Sequence, residues 1–284
     1  MDVRIVLLGT GTPRLDPSSS GPATALVVDG APYLFDFGPG VAVRLSEAHH
    51  RGIAGMAMSG VTRAFLTHLH SDHTMGLPSL MLAPWMFGRE EPLHVHGPLG
   101  TDRMVRHVAA AYEADVAKRR FSEPHTERGH EIEGHDLMPG AAFRDDRVTI
   151  EAFPVSHGDW VPEIHGPHPA FGYRVRIAAG PTIVISGDTG PFAAMEEAYR
   201  DCDVLVHEVY ASRGLAARPA TWQTYHRASH TSGTELGRIA TLVQPGLLVV
   251  THQLLWHADE SDLLDEIAGV YDGDLAYGRD LDVF

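Results

Sequence analysis

The residues of this chain that are best suited to chemistry lie in one short segment, Thr67-His68-Leu69-His70-Ser71-Asp72-His73. Four of its side chains are metal ligands by type, and four ligands within six residues cannot all reach one tetrahedral ion. In an extended loop, His68 and His70 share a face, whereas Asp72 and His73 turn toward a second position. Imidazole and carboxylate groups suit Zn²⁺, and they also suit iron and manganese. The spacing therefore predicts a metal site and not a polar loop that is rich in histidine by chance.

The segment needs a scaffold that brings distant residues to it. Hydrophobic periodicity predicts a strand-rich first half into which helices enter, and the second half repeats that order. Sheets flanked by helices, in two similar halves without a domain boundary, are the architecture that this pattern favours. No element is predicted for the polar stretch 119–146. The predicted strands are 3–8, 23–28, 32–35, 61–66, 93–96, 149–155, 171–177, 182–185, 204–207 and 247–250, and the predicted helices are 41–49, 102–118, 191–200, 231–242 and 260–271.

Composition excludes several classes of protein. The net charge of −15 over 284 residues repels phosphate backbones at long range, which disfavours a general nucleic-acid binder. The lone Cys202 excludes an intrachain disulfide and a thiolate zinc site. No apolar run approaches the roughly 18 residues of a membrane span. The N-terminal residues are typical of a first strand and not of a signal peptide, so we expect a cytoplasmic protein.

The segment His68-Leu69-His70-Ser71-Asp72-His73 resembles the HxHxDH signature of the metallo-β-lactamase superfamily. Residues 7–13 and 36–40 resemble the opening of the branch that contains ribonuclease Z and arylsulfatase-like enzymes. His157, Asp188 and His252 match the third, fourth and fifth motifs in order. The resemblance implies an α/β metallo-β-lactamase fold, a four-layer αβ/βα sandwich with two central mixed β-sheets flanked by helices, in a single domain spanning residues 1–284.

The resemblance also implies a ligand set for two divalent ions. Zinc is the expected metal, and iron and manganese are alternatives. Two such ions can share a hydroxide, because metal binding lowers the pKa of water to about 7. Asp72 would then also accept a hydrogen bond from that hydroxide. In this assignment His68, His70 and His157 hold one ion, Asp72, His73 and His252 hold the other, and Asp188 bridges both.

A leaving group needs a proton, and two further residues are candidates for its transfer. His230, within Ser229-His230-Thr231, resembles the HST-type motif of the ribonuclease Z branch. Glu208, which follows His207, resembles the HE motif of the same branch, whose glutamate orients that histidine. The two residues are predicted to form an acid–base pair. The alternative is a helix-capping loop with an incidental histidine.

Substrate class is predicted from what the chain lacks. Ribonuclease Z enzymes that mature tRNA generally carry a flexible arm between their third and fourth motifs, but His157 and Asp188 are only 31 positions apart. With the acidic charge, this favours a small ester-type substrate: an aryl or carboxyl ester, a lactone, a sulfate ester or a phosphodiester. Nucleic acid and membranes are not expected partners, and a homodimer stays open. Residues 222–227, with Trp222 and Tyr225, either line the substrate pocket or only pack against the fold.

Two other functions stay open. One is a phosphodiesterase or nuclease of the ribonuclease Z type that acts on RNA with the same centre. The other is a non-catalytic scaffold that binds metal.

Overall fold

The computed structural model describes residues 1–14 and 16–284. The chain divides into two compact units. The first comprises Met1–Leu137 with Arg279–Phe284, and the second comprises Met138–Gly278. Each unit contains one mixed β-sheet and its own helices.

The first unit has a six-stranded sheet whose strands lie in chain order. The first three strands are antiparallel and the last four are parallel to one another. A 3₁₀ helix, Met58–Gly60, precedes the fourth strand. The elements are β1 (Val3–Gly9), β2 (Ala23–Val28), β3 (Ala31–Phe35), α1 (Val41–His50), β4 (Arg63–Phe65), α2 (Ser71–Thr74), α3 (Leu77–Met86), β5 (Leu93–Gly97), α4 (Thr101–Ala111), α5 (Glu113–Ser122) and β6 (Ile132–Asp136).

Sequence accounts for the sheet locally. The turn between β2 and β3 contains Asp29 and Gly30, both with positive φ, and this pair favours the tight hairpin turn that matches strand twist. Helix α1 buries Val41, Leu45 and Ala48 in the core of the sheet's apolar face. The spacing of these three residues, four and then three apart, puts them on one helical face.

The second unit has a seven-stranded sheet in the order β13-β12-β11-β10-β9-β8-β7. Strands β7 to β10 are antiparallel, and β10 to β13 are parallel. The elements are β7 (Gly140–Arg144), β8 (Val148–Pro154), α6 (Pro162–His165), β9 (Phe171–Ile177), β10 (Thr182–Ile185), α7 (Met195–Tyr199), β11 (Val204–Tyr210), α8 (Ser212–Ala216), α9 (Ala220–Ser229), α10 (Gly233–Val243), β12 (Leu247–Leu254), α11 (Glu260–Ala268) and β13 (Leu275–Tyr277).

Cys202 packs in the apolar core of the second unit. Burial raises the pKa of its thiol to about 11, so the thiol is protonated near neutral pH. A protonated thiol is neither a nucleophile nor a metal ligand. This agrees with the exclusion of a thiolate zinc site.

Several elements differ from their predicted bounds. The helix predicted over 102–118 is two helices, because the chain leaves helical geometry at Tyr112 (φ −106, ψ 9). The polar stretch 119–146 contains β6 and β7, which were not predicted. Helix α9 and strand β13 were not predicted either. The helix predicted over 191–200 is the shorter α7.

Parallel strands place the functional loops of each unit at a common edge. In the first unit, β3 and β4 are parallel neighbours, so Asp36 and the residues after β4 leave from the same end. In the second unit, β10, β11 and β12 are also parallel neighbours, so Asp188, Glu208 and His252 lie toward the same end of the sheet. None of the helices in the described part of the chain is long and apolar enough to span a membrane.

Candidate metal centre

The first unit gathers the predicted ligands of the histidine segment. The chain leaves β4 through Thr67 and His68, and helix α2 begins directly after His70. The ring centroids of His68 and His70 are 4.7 Å apart, and those of His68 and His73 are 4.1 Å apart. Apart from His70, which is partly buried, these ligand side chains and that of Asp72 are buried. Four potential ligands therefore lie close to one another.

Asp36 fixes the orientation of two of these imidazoles. Its Oδ1 accepts the Thr67 backbone N–H at 2.8 Å, and its Oδ2 lies 2.8 Å from both Thr67 Oγ1 and His73 Nδ1. A carboxylate accepts only, so His73 Nδ1 is the donor. The Thr67 hydroxyl donates its proton to Asp36. His68 Nδ1 lies 3.0 Å from Thr67 Oγ1 and therefore donates to that hydroxyl oxygen. Both rings thus keep a lone pair on Nε2, the nitrogen that a metal would take.

In the second unit, Asp188 is the centre of the cluster. It follows β10 in the turn that contains Gly187, whose φ is 60°. Its Oδ2 lies 3.2 Å from His252 Nε2 and 3.9 Å from His157 Nε2. His157 Nδ1 donates to the Ser229 carbonyl at 2.8 Å. Here too the outer ring nitrogen is held by an oxygen acceptor, the arrangement found behind most histidine metal ligands.

His252 reaches this position through a β-bulge. Strands β11 and β12 pair Glu208 with Thr251 and Val209 with Gln253, so His252 is the extra residue between two pairs. Its φ of 47° lies in the left-handed region, which a side chain larger than glycine adopts at a cost of about 1–3 kcal/mol. Bulges of this kind re-aim a side chain next to an active site. The strain is consistent with a functional position.

Glu208 and His230 form the predicted contact. His230 Nδ1 lies 3.3 Å from Glu208 Oε2. Glu208 Oε1 accepts the backbone N–H groups of Thr189 at 3.2 Å and Thr231 at 2.9 Å. One carboxylate thus ties the loop of Asp188 to the segment of His230. Ser232 caps helix α10, so the segment is a helix-capping loop, and the contact with Glu208 gives its histidine a defined partner. The acid–base role of the pair stays a prediction.

Burial raises the pKa of the Glu208 carboxyl well above its usual range, and the Asp188 carboxylate raises it further. His252 and the two backbone N–H groups oppose this shift. The anionic form of a carboxyl buried in this way is stabilised by a cation beside it, because the resulting ion pair carries no net charge. A protonated imidazole at His230 would be such a cation.

His207 makes the folded state sensitive to acid. It is fully buried, its Nδ1 donates to the Glu208 carbonyl, and its Nε2 accepts from Tyr199 Oη at 3.1 Å. Burial lowers the pKa of His207 from 6.5 to about 4. The unfolded chain therefore binds the proton first, so stability is complete above about pH 6.5 and falls as the pH drops toward about 4.

We expect metal-stripped protein to lose about 2 kcal/mol more unfolding free energy between about pH 7 and about pH 4.5 than its His207→Gln variant loses. Glutamine has no proton to gain, so the difference between the two chains isolates this group. Urea unfolding at the two pH values measures it. Equal losses in both chains would contradict this assignment.

The donor set of each unit fits a divalent transition metal. The first unit offers three imidazoles and Asp72, and the second offers His157, Asp188 and His252. Ligand atoms of His157, Asp188 and His230 also lie within 4.8 Å of one another, so His230 is a second candidate ligand in that unit. Zinc, iron and manganese all bind imidazole nitrogen and carboxylate oxygen, so a site made of these donors without a thiolate suits each of them.

Sequence reasoning missed two groups. It quoted Asp36 within a motif but gave it no role, although an aspartate directly after a buried strand was a usable signal. It named residues 222–227 as a possible pocket wall, but it missed the row that runs along helix α9. Arg218, Trp222, His226 and His230 follow at intervals of four residues, and the Trp222 and His226 rings stack with centroids 5.7 Å apart.

Comparisons with known proteins agree with the fold. The family model described as "Beta-lactamase superfamily domain" matches residues 32–253. A ribonuclease Z of Mycobacterium sp. (strain KMS) is 30% identical over 283 residues, which is 98% of this chain and 94% of that protein. A metallo-β-lactamase fold protein from Bacillus subtilis aligns with a TM-score of 0.71 at 18% identity, covering 99% of this chain and 98% of the other. The human tRNase Z short form aligns with a TM-score of 0.70 at 21% identity, with the same coverage.

The relatives overturn two expectations. The small ester-type substrate is wrong as the leading function, because the similar protein of almost equal length is a ribonuclease. The expectation that nucleic acid is not a partner is wrong for the same reason. Net charge failed as an argument because it sums the whole surface, whereas RNA contacts a local patch. The short interval between His157 and Asp188 was also a poor guide to substrate class, because this chain aligns with a ribonuclease Z over 94% of that protein's length.

The predicted metallo-β-lactamase fold, with two mixed sheets flanked by helices, is confirmed. A fold of this family implies divalent metal binding, and the buried histidine and aspartate clusters agree with it. The chain is therefore a metal-dependent hydrolase. It belongs to the metallo-β-lactamase superfamily, in the branch that contains ribonuclease Z.

Proposed function

We propose that this chain is a metal-dependent endoribonuclease of the ribonuclease Z type, which hydrolyses a phosphodiester bond in precursor tRNA. The observation that carries the proposal is the 30% identity to a ribonuclease Z along nearly the full length of both proteins. Motif order and the geometry around Glu208 and His230 support it.

The ligand assignment is part of the proposal. Of the seven ligands, His68, His70 and His157 would hold one ion, Asp72, His73 and His252 the other, and Asp188 both. The donor chemistry of each unit supports this set, because His68, His73 and His157 all donate through Nδ1 and so leave Nε2 to accept. Two bound ions supply a Lewis acid for the phosphoryl oxygen and lower the pKa of water. Zinc is the metal that we propose.

His230 holds the proton for the leaving oxygen. Its Nδ1 donates to Glu208, so its Nε2 is the atom that gives up a proton when the ring is protonated. Glu208 stabilises the protonated ring and keeps it oriented, as a carboxylate does behind a catalytic histidine. Asp72 is the proposed acceptor for the proton of the attacking water, in addition to its role as a ligand.

Helix α9 provides a surface for RNA bases. Trp222 is 46% exposed and Tyr225 is 42% exposed, and the Arg218 guanidinium carbon lies 5.6 Å from the Trp222 ring centroid. Burial lowers the pKa of His226 to about 4, so its ring is neutral between Trp222 and His230. Helix α9 contains no acidic residue, so its local charge is opposite to that of the whole chain. Stacking of a base on an aromatic ring contributes about 1–3 kcal/mol.

A substrate panel tests the proposal. We expect the zinc-loaded protein to cleave a precursor tRNA transcript with a far higher kcat/KM than an aryl ester or an aryl sulfate. Trp222→Ala should raise KM for the transcript about tenfold with little change in kcat, because it removes stacking and no reacting group. Arg176→Ala, a surface change on β9, is the control. Faster turnover of the aryl ester than of RNA would overturn the proposal.

Several finer points stay predictions. They are zinc as the bound metal, the cytoplasmic location, the likeness to arylsulfatase-like enzymes, a single domain over residues 1–284, and a homodimer.

A further inference from the structure

A second cluster of ligand-type side chains lies on the sheet of the first unit, away from the HxHxDH segment in sequence. Strands β5 and β6 are parallel neighbours, and their register pairs His94 with Glu133 and His96 with His135. His94 Nδ1 lies 3.1 Å from His135 Nε2 and 3.5 Å from Glu133 Oε2. The ligand atoms of His94, Glu133 and His135 all lie within 4.8 Å of one another.

The two ring nitrogens point at each other, and this is the central observation. Atoms bound to one tetrahedral zinc at about 2.0–2.1 Å are roughly 3.3 Å apart, so the 3.1 Å spacing needs little movement. Without metal, one ring donates an N–H to the other. With metal, both nitrogens offer lone pairs, and the ring that donated carries its proton on its other nitrogen.

The His135 ring is held by packing against other rings. His96 stacks on His135 with centroids 4.5 Å apart and an interplanar angle of 17°, and Phe65 stacks on His96 at 5.1 Å. This ladder of rings across β4, β5 and β6 fixes the plane of His135. Preorganised ligands lose less conformational entropy on binding.

Solvent reaches the cluster. The side chain of His94 is 38% exposed and that of Glu133 is 48% exposed. Arg63 lies opposite His94 on β4, and its charge opposes that of a bound cation. Glu133 supplies the compensating negative charge within the site.

We propose that His94, Glu133 and His135 form an additional binding site for a divalent transition metal such as Zn²⁺. Two imidazoles and one glutamate leave a fourth position for water, so the site is a three-ligand site. Strand β6 is the last strand in the sheet order, and a bound ion would tie this edge strand to β5. None of its three ligands belongs to the seven that we propose for the ribonuclease centre.

Zinc binding and hydrogen exchange test the site on the full chain. Dialysis against buffered Zn²⁺ followed by elemental analysis should give about one equivalent fewer for the His94→Asn/His135→Asn double variant than for the wild type. Zn²⁺ should slow amide exchange in residues 132–136 in the wild type and in Asp188→Asn, but not in the double variant. Glu133→Gln, a change at an exposed side chain, should weaken Zn²⁺ binding at this site about tenfold or more.

His107→Asn, at an exposed histidine on α4, is the matched control and should bind as much Zn²⁺ as the wild type. The proposal is overturned if the double variant retains its full zinc content, or if Zn²⁺ leaves exchange in residues 132–136 unchanged in the wild type. Should the double variant fail to fold, Glu133→Gln decides, and an unchanged affinity there overturns the proposal. The test does not depend on RNA cleavage. The Asp188→Asn variant, which we expect to be inactive, keeps all three ligands of this site and should still bind Zn²⁺ there.

Discussion

Replacing Asp188 with asparagine is expected to lower kcat for RNA cleavage on the order of 10³-fold or more. The carboxylate lies 3.2 Å from His252 Nε2 and 3.9 Å from His157 Nε2, at the centre of the second unit's cluster. Asparagine keeps the size of the side chain but removes the charge that balances two cations. Loss of the several kcal/mol that bound ions contribute to the transition state corresponds to that factor. Steady-state kinetics and metal content, measured on the same preparations, check this result.

Asp203→Asn is the matched control. Asp203 accepts the Thr182 backbone N–H at 2.7 Å, at the other end of β10. Its substitution therefore makes the same chemical change as Asp188→Asn, but away from the cluster. We expect it to keep both metal and activity. Full activity of Asp188→Asn, with a normal metal content, would contradict the role of Asp188 as a ligand.

Replacing His230 with alanine is expected to lower kcat for RNA by about 10²- to 10⁴-fold, the usual contribution of a general acid or base. The effect should depend on the leaving group. Cleavage of RNA expels a ribose oxygen, a poor leaving group that needs a proton. Cleavage of bis(p-nitrophenyl) phosphate expels nitrophenolate, which leaves as an anion without a proton. Turnover of the nitrophenyl ester should therefore fall much less. Kinetics on both substrates measure this difference.

Metal content separates the two roles that the geometry allows for His230. If His230 is an acid that Glu208 orients, the His230→Ala variant should keep the metal content of the wild type. If His230 is instead a metal ligand together with His157 and Asp188, the variant should lose metal and should cleave both substrates more slowly by the same factor. His49→Ala, at an exposed histidine on α1, is the control. Glu208→Gln should reproduce the His230→Ala pattern more weakly, since the amide still accepts a hydrogen bond.

Sequence was sufficient where a residue's role follows from its neighbours along the chain. The segment from His68 to His73 contains four ligands by type and spacing, and the structure brings them together. The hairpin of β9 and β10 has the predicted bounds, because alternation and a glycine-containing turn determine it locally. The contact between Glu208 and His230 was predicted by resemblance, and the structure contains it.

The remaining features depend on contacts that no local pattern encodes. Asp36 and Thr67 are 31 positions apart, and only the pairing of β3 with β4 makes them partners. The bulge at His252 puts a histidine at positive φ, which histidine by itself does not favour. Strand β6 reads as polar because it lies at the edge of its sheet, where charged side chains stay in solvent. Net charge predicted the wrong partner because it sums the whole chain and so conceals local patches of the opposite sign.

The most direct test of the account is a zinc titration of RNA cleavage by metal-stripped protein, in the His94→Asn/His135→Asn background so that the additional site does not bind. The account predicts that cleavage of precursor tRNA starts near zero, rises with zinc and levels off at about two equivalents per chain. It also predicts that Asp188→Asn in the same background removes this rise. Full cleavage by metal-stripped protein, or a rise that Asp188→Asn leaves intact, would contradict it.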